Sequence, residues 1–122
     1  MSGYWQGRKV LVTGGSGFIG SHVVRALVRQ GAHVRASCTS VDKCYRLVDL
    51  QDRVEIVAAD LCEPHDAERV CRGQDAVISL AHSDGSLAFK RSRPAYLFRR
   101  NMLITLNLLD AAAQQGIKRF LL

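Results

Sequence analysis

Val10-Leu11-Val12-Thr13-Gly14-Gly15-Ser16-Gly17-Phe18-Ile19-Gly20 is the stretch on which the reading of this 122-residue chain turns. Val10 to Val12 is a short apolar run of the kind that forms a buried parallel strand. Glycines follow at once. Gly15, Gly17 and Gly20 satisfy G-x-G-x-x-G, and Gly14, Gly17 and Gly20 satisfy G-x-x-G-x-x-G. Beyond them Ile19, Val23, Val24, Leu27 and Val28 recur at helical spacing through Phe18 to Gln30. A strand, a glycine turn and a helix together are the context in which this motif signals a dinucleotide site. Glycine permits the tight turn, lets the backbone approach a pyrophosphate, and lets strand and helix pack closely. Free N–H groups and the dipole at the helix start favour phosphate charge. Gly14, Gly17, Phe18, Ile19 and Gly20 are therefore candidate cofactor residues.

Outward from this stretch the chain keeps one rhythm. Gln30-Gly31 precedes a strand at His33 to Cys38, Arg72-Gly73 precedes one at Ala76 to Leu80, and Gln115-Gly116 precedes one at Lys118 to Leu122. Each glycine stands where a helix would stop. A further strand, Val54 to Ala59, and a helix, Asp66 to Cys71, lie between, and Asp42 is placed to start another helix. The alternation β-α-β-α-β-α-β-α-β predicts an α/β fold with a doubly wound parallel sheet, Rossmann-like, with helices on both faces. No linker interrupts it, so residues 1–122 read as one domain. The last strand stops at Leu121-Leu122 with no turn after it, as if the sheet were cut around its fifth strand.

Composition narrows the function classes. At 48% hydrophobic and 23% charged residues, the chain has the make-up of a folded domain rather than a disordered tail. Its net charge of +6 suits anionic ligands. The densest basic run, Lys90-Arg91-Ser92-Arg93 with Arg99-Arg100, has few aromatics and no nucleic-acid module around it, so it reads as a solvated loop and helix start. No apolar run reaches membrane-spanning length, and the first eight residues lack a signal-peptide core, which points to a cytoplasmic protein. Cys38, Cys44, Cys62 and Cys71 form no Cys-x-x-Cys pair and read as reduced, mostly buried thiols. His22, His33, His65 and His82 are scattered without metal-ligand spacing, so no metal is expected.

The second strand of a dinucleotide domain commonly ends in an acid that holds the adenosine ribose. Here that place falls on Cys38-Thr39-Ser40, with no acid, and Thr39 is the candidate contact. Arg35 and Lys43 lie nearby in sequence and are either solvated or available to a 2′-phosphate. The choice between NAD and NADP stays open.

Thr-Gly-Gly-Ser-Gly-Phe-Ile-Gly followed by Ser21-His22 resembles the opening of the extended short-chain dehydrogenase/reductases, in their NAD-dependent epimerase/dehydratase group. The resemblance continues along nearly the whole chain. Asp60-Leu61 matches the family's adenine-contacting pair, and Leu80-Ala81-His82 resembles the segment whose backbone lines the cofactor. Asn101 matches the first residue of the helical Asn-x-x-x-Thr-x-Asn-x-Leu pattern. The run from Ser83 to Asn101, with Ile104 where many members have Gly, resembles that of GDP-sugar epimerases and reductases. The resemblance implies NAD or NADP as cofactor, a nucleotide-sugar substrate, and transient oxidation followed by epimerisation, dehydration or reduction. A reductase of small carbonyl compounds using NADPH and a non-catalytic NAD(P)-binding module are the alternatives.

Family chemistry uses Tyr-x-x-x-Lys, with the tyrosine moving a proton as hydride is exchanged. Tyr4, Tyr45 and Tyr96 are the tyrosines here, and none has Lys four residues on; Tyr96 has Arg100. No catalytic residue is assigned, and the chain by itself is expected to be inactive. Ser83 and Ser86 lie where a substrate or nicotinamide could pass, or are plain loop residues. The helix from Pro94 to Gln115 is apolar around much of its circumference. Leu103 and Leu106 are expected to face the sheet, leaving Met102, Leu109 and Ala113 partly on another face. In the family this helix commonly contributes to a dimer interface, so a homodimer is expected of the intact protein.

Overall fold

The computed structural model describes residues 3–122. Five strands, β1 (Lys9–Thr13), β2 (His33–Cys38), β3 (Val54–Ala58), β4 (Ala76–Ser79) and β5 (Arg119–Leu121), form one parallel sheet in the order β3-β2-β1-β4-β5. Four α-helices connect them: α1 (Phe18–Arg29), α2 (Pro64–Cys71), α3 (Leu87–Ser92) and α4 (Pro94–Gln114). The predicted doubly wound, Rossmann-like sheet is the one found.

Strand periodicity divides the core. Val10 and Val12 point to one face, where they meet Val24 and Leu27 of α1; Leu11 points to the other, with Ala67 and Val70 of α2 and Ile104 and Leu108 of α4. Burial on both faces explains why β1 reads as an unbroken apolar run. Gly31, Gly73 and Gly116, each just past a helix, have φ of 83°, 77° and 70°. These are left-handed conformations that favour glycine, which is why helix ends were legible from the residues.

Three expectations are corrected. No α-helix joins β2 to β3; two 3₁₀ turns, Val41–Lys43 and Tyr45–Leu50, do so. Cys44, Leu47 and Leu50 are the buried residues there. Their spacing of three matches the three-residue turn of a 3₁₀ helix, which brings all three to one side. The basic run Lys90 to Arg93 belongs largely to α3, which Ser86 caps: its Oγ accepts from the Phe89 N–H at 3.1 Å. On α4 the buried residues are Ile104, Leu108, Ala111 and Ala112, whereas Leu106 is 49% exposed and Leu103 half-buried. Packing of α4 against α2 sets this phase, since Ala111 and Leu108 join Val70 and Ala67 in one cluster.

Candidate functional site

Chain order reverses between β1 and β4, and a crevice opens there beyond the carboxyl ends of the strands. It holds a cavity of about 240 Å³. Gly14, Gly17, Thr39, Asp60, Leu61, Leu80 and Ala81, all singled out from the sequence, lie on its wall.

The end of β1 holds two of the cavity's walls together. Thr13 is fully buried, and its Oγ1 accepts from the N–H groups of Leu80 at 3.1 Å and Ala81 at 3.2 Å. This fixes the exit of β4 against the glycine turn. Gly14 has φ 68°, and a Cβ there would lie 2.9 Å from Ala81 Cα. The glycine is thus required by the neighbouring strand as well as by the turn. Gly20 is buried against Gly14, whose carbonyl oxygen a Cβ at Gly20 would strike. The third motif glycine therefore serves close helix–strand packing.

Gly17 precedes α1, and its N–H donates to the Gly14 carbonyl at 3.1 Å. No side chain caps this helix, and its first turn carries no acid. Its leading N–H groups and positive end are left for an anion beside Gly14 and Ser16. A side chain at Gly17 would stand 3.3 Å from the Gly14 carbonyl, on the cavity wall. These residues fit a dinucleotide pyrophosphate. Phe18 and Ile19 do not line the cavity; they are 69% and 66% exposed on the first turn of α1.

Asp60 follows β3. Its N–H donates to Asp66 Oδ2 at 2.8 Å, and its Oδ1 accepts from the Cys62 N–H at 3.1 Å. Bonding to the Asp60 N–H, helped by Arg69, holds the Asp66 carboxyl below the usual carboxylate range. On the opposite wall Arg100 of α4 reaches Asp60 Oδ1 at 3.4 Å and donates to Ser83 Oγ at 3.0 Å. Asn101 does not line the cavity. It grips the backbone of Ser83, which does.

Arg35 does not line the cavity. Its guanidinium donates to Glu55 at 2.8 Å and to the carbonyls of Val70 and Arg72, on the face of the sheet that carries α2. Arg100 and Thr13 carry structural roles that the residues alone do not disclose. In the sequence Arg100 stands out as part of the basic run and as the residue four after Tyr96; its guanidinium lies 5.8 Å from that ring. Among the described residues no group of His, Cys, Asp and Glu is arranged to hold a metal ion, and no helix is long and apolar enough to cross a membrane.

The same arrangement is found in known proteins. Residues 10–122 match the model of the NAD dependent epimerase/dehydratase family. GDP-mannose 3,5-epimerase 1 of Oryza sativa subsp. japonica is 33% identical over 119 residues, which are 96% of this chain and 31% of that protein. A dTDP-4-dehydro-6-deoxy-D-allose reductase of Streptomyces is 35% identical over 118 residues, 93% of this chain and 36% of its own length. The UDP-glucose 4-epimerase of Thermus thermophilus, solved in complex with NAD, superposes with a TM-score of 0.78 at 32% identity, over 92% of this chain and 36% of that one. The chain thus spans about a third of the length of these relatives. With its glycine turn, its sheet order and residues 10–122 matched, the chain belongs to the NAD dependent epimerase/dehydratase family.

Proposed function

We propose that this chain is the cofactor-binding part of an NAD(P)-dependent enzyme that epimerises or dehydrates a nucleotide-activated sugar. The observation that carries the reading is the cavity at the sheet's switch point, where the uncapped start of α1 meets the exits of β2, β3 and β4. The turn at Gly14 and Gly17 takes the pyrophosphate. Thr39 adjoins the adenosine ribose, Asp60 and Leu61 the adenine, and the backbone of Leu80 and Ala81 the nicotinamide half. Phe18, Ile19 and Gly20 supply the first helical turn, and Asn101 positions Ser83. When bound, the dinucleotide supplies a reversible hydride acceptor. The nucleotide-sugar substrate rests on the names of the relatives.

Tyr4, Tyr45 and Tyr96 lack a lysine four residues on, so the 122-residue chain binds cofactor without turning over substrate. The free thiols of all four cysteines suit a reducing, cytoplasmic setting. An apolar stripe on α4 suits pairing with a second copy. Titration of NADH and NADPH fluorescence with the full chain tests the reading. Saturable one-site binding of either is expected; no saturable binding of any dinucleotide would overturn it.

A further inference from the structure

We infer that the ribose end of this cavity is built for a 2′-phosphate, so that the chain takes NADP(H) in preference to NAD(H), with Arg46 as the phosphate's partner. The inference rests on the cofactor reading above and goes beyond it.

A carboxylate at the end of the second strand would bond the ribose hydroxyls and repel a phosphate dianion there. β2 ends instead in Cys38, whose Sγ is buried and turned to Cys44 Sγ at 2.7 Å. Burial and that contact push the Cys38 thiol up to about 12, so it carries no charge at neutral pH. Thr39, next in the chain, presents a neutral hydroxyl on the cavity wall. Two of the acids nearby are otherwise engaged. Asp60 stands at the β3 exit beside Arg100, and Asp49 pairs with Arg25 at 2.6 Å. Asp42 is exposed on the intervening 3₁₀ turn, beside the exposed Lys43.

Arg46 approaches from the other side. Its Nη1 donates to the carbonyl of Ser16, in the glycine turn, at 3.4 Å. Ser16, Cys38 and Thr39 share the cavity wall; Arg46 does not line it, but this contact sets its guanidinium beside Ser16, next to the glycine turn. The backbone of Arg46 is anchored, because its carbonyl accepts from Arg25 Nη2. The side chain rests on its neighbour's ring, with the guanidinium carbon 4.8 Å from the Tyr45 centroid. That long bond to Ser16 is its only hydrogen bond among the described residues, and it has no acidic partner there. A planar cation with most of its donors free is the group that binds a phosphate through paired hydrogen bonds.

The test is a pair of titrations on the full chain, NADPH against NADH and 2′,5′-ADP against 5′-ADP. At least tenfold tighter binding of the 2′-phosphorylated member is expected in both. Arg46→Ala should bring the NADPH to NADH ratio within about threefold of one, Arg46→Lys should keep part of the preference, and Thr39→Asp should reverse it. Circular dichroism checks that each variant is folded; Arg46 and Thr39 both lie outside the core. Equal binding of the two dinucleotides, or an unchanged ratio in Arg46→Ala, would overturn the 2′-phosphate assignment and leave the cofactor reading standing. Binding of no dinucleotide at all would overturn both.

Discussion

Asn101, on α4, holds both backbone groups of Ser83, just beyond β4: its Oδ1 accepts from the Ser83 N–H at 2.6 Å, and its Nδ2 donates to the Ser83 carbonyl at 3.1 Å. One side chain thus satisfies a donor and an acceptor that a loop would otherwise leave to solvent. Arg100, one residue earlier, adds a bond to Ser83 Oγ at 3.0 Å. Between them they tie the start of a helix to the cavity wall.

Asn101→Ala removes two hydrogen bonds from half-buried groups, at a cost of about 1–3 kcal/mol. The loop after β4 should loosen and cofactor affinity should fall with it. Asn101→Asp keeps the acceptor for the Ser83 N–H but sets a second acceptor against the Ser83 carbonyl, so it should recover little. Urea unfolding and dinucleotide titration of the three proteins check this. Affinity and midpoint both unchanged in Asn101→Ala would refute the positioning role.

Gly17→Val tests the proposed pyrophosphate site. Gly17 has φ −74° and ψ 174°, open to any residue, and an added Cβ would meet only the Gly14 carbonyl at 3.3 Å. The fold should therefore survive, while the branched side chain occupies the place of phosphate. Dinucleotide affinity should drop by about a hundredfold or more, some 2.7 kcal/mol. Calorimetric titration giving equal affinity for the two proteins would contradict the assignment.

Burial raises the thiols of Cys38, to about 12, and Cys71, to about 11. In the unfolded chain they would ionise near the ordinary thiol value. A raised folded pKa gives stability that is complete below the unfolded value and is lost as pH rises toward the folded one. Stability should therefore decline above pH ~9, by about 1.4 kcal/mol per pH unit for each such thiol. Urea midpoints between pH 8 and 10.5 measure the slope, and Cys38→Ala with Cys71→Ala should flatten it. At pH 8, iodoacetamide should label Cys62, the one of the four that is not fully buried, ahead of the others. Peptide mapping that finds Cys71 labelled first would show the burial argument to be mistaken.

Phe98, Met102, Leu106 and Leu109 are 69%, 41%, 49% and 39% exposed on α4. Spaced four, four and three residues apart, they form one stripe turned away from α2 and the sheet. Covering it with the same stripe of a second copy would stabilise a dimer at ~25 cal/mol per Å² of apolar area removed from water. Leu106→Glu should convert a dimer to monomers without unfolding the domain. Sedimentation at micromolar concentration reads this directly; a monomer before substitution would remove the proposal.

The strands, three of the four α-helices and the glycine turn are legible in the residues because each depends on near neighbours. Val10 to Val12 reads as a strand by its own composition, and Gly31, Gly73 and Gly116 mark helix ends because their left-handed backbone favours glycine. The glycine-rich turn points to a phosphate site for the same reason. What the sequence could not supply are relationships across the chain. Asp60 and Arg100 are 40 residues apart, Ser16 and Arg46 30, and Ser83 and Asn101 18. Parallel crossovers bring these pairs to one end of the sheet, and no local period records which side chains will meet there. The same holds for α4: its pattern fixed a helix, but with apolar residues on several faces only packing against α2 decided that Leu108 is buried and Leu106 exposed. Local conformation is set by backbone and neighbour sterics, whereas the pairing of charges and the choice of buried face are set by the topology that brings distant segments together.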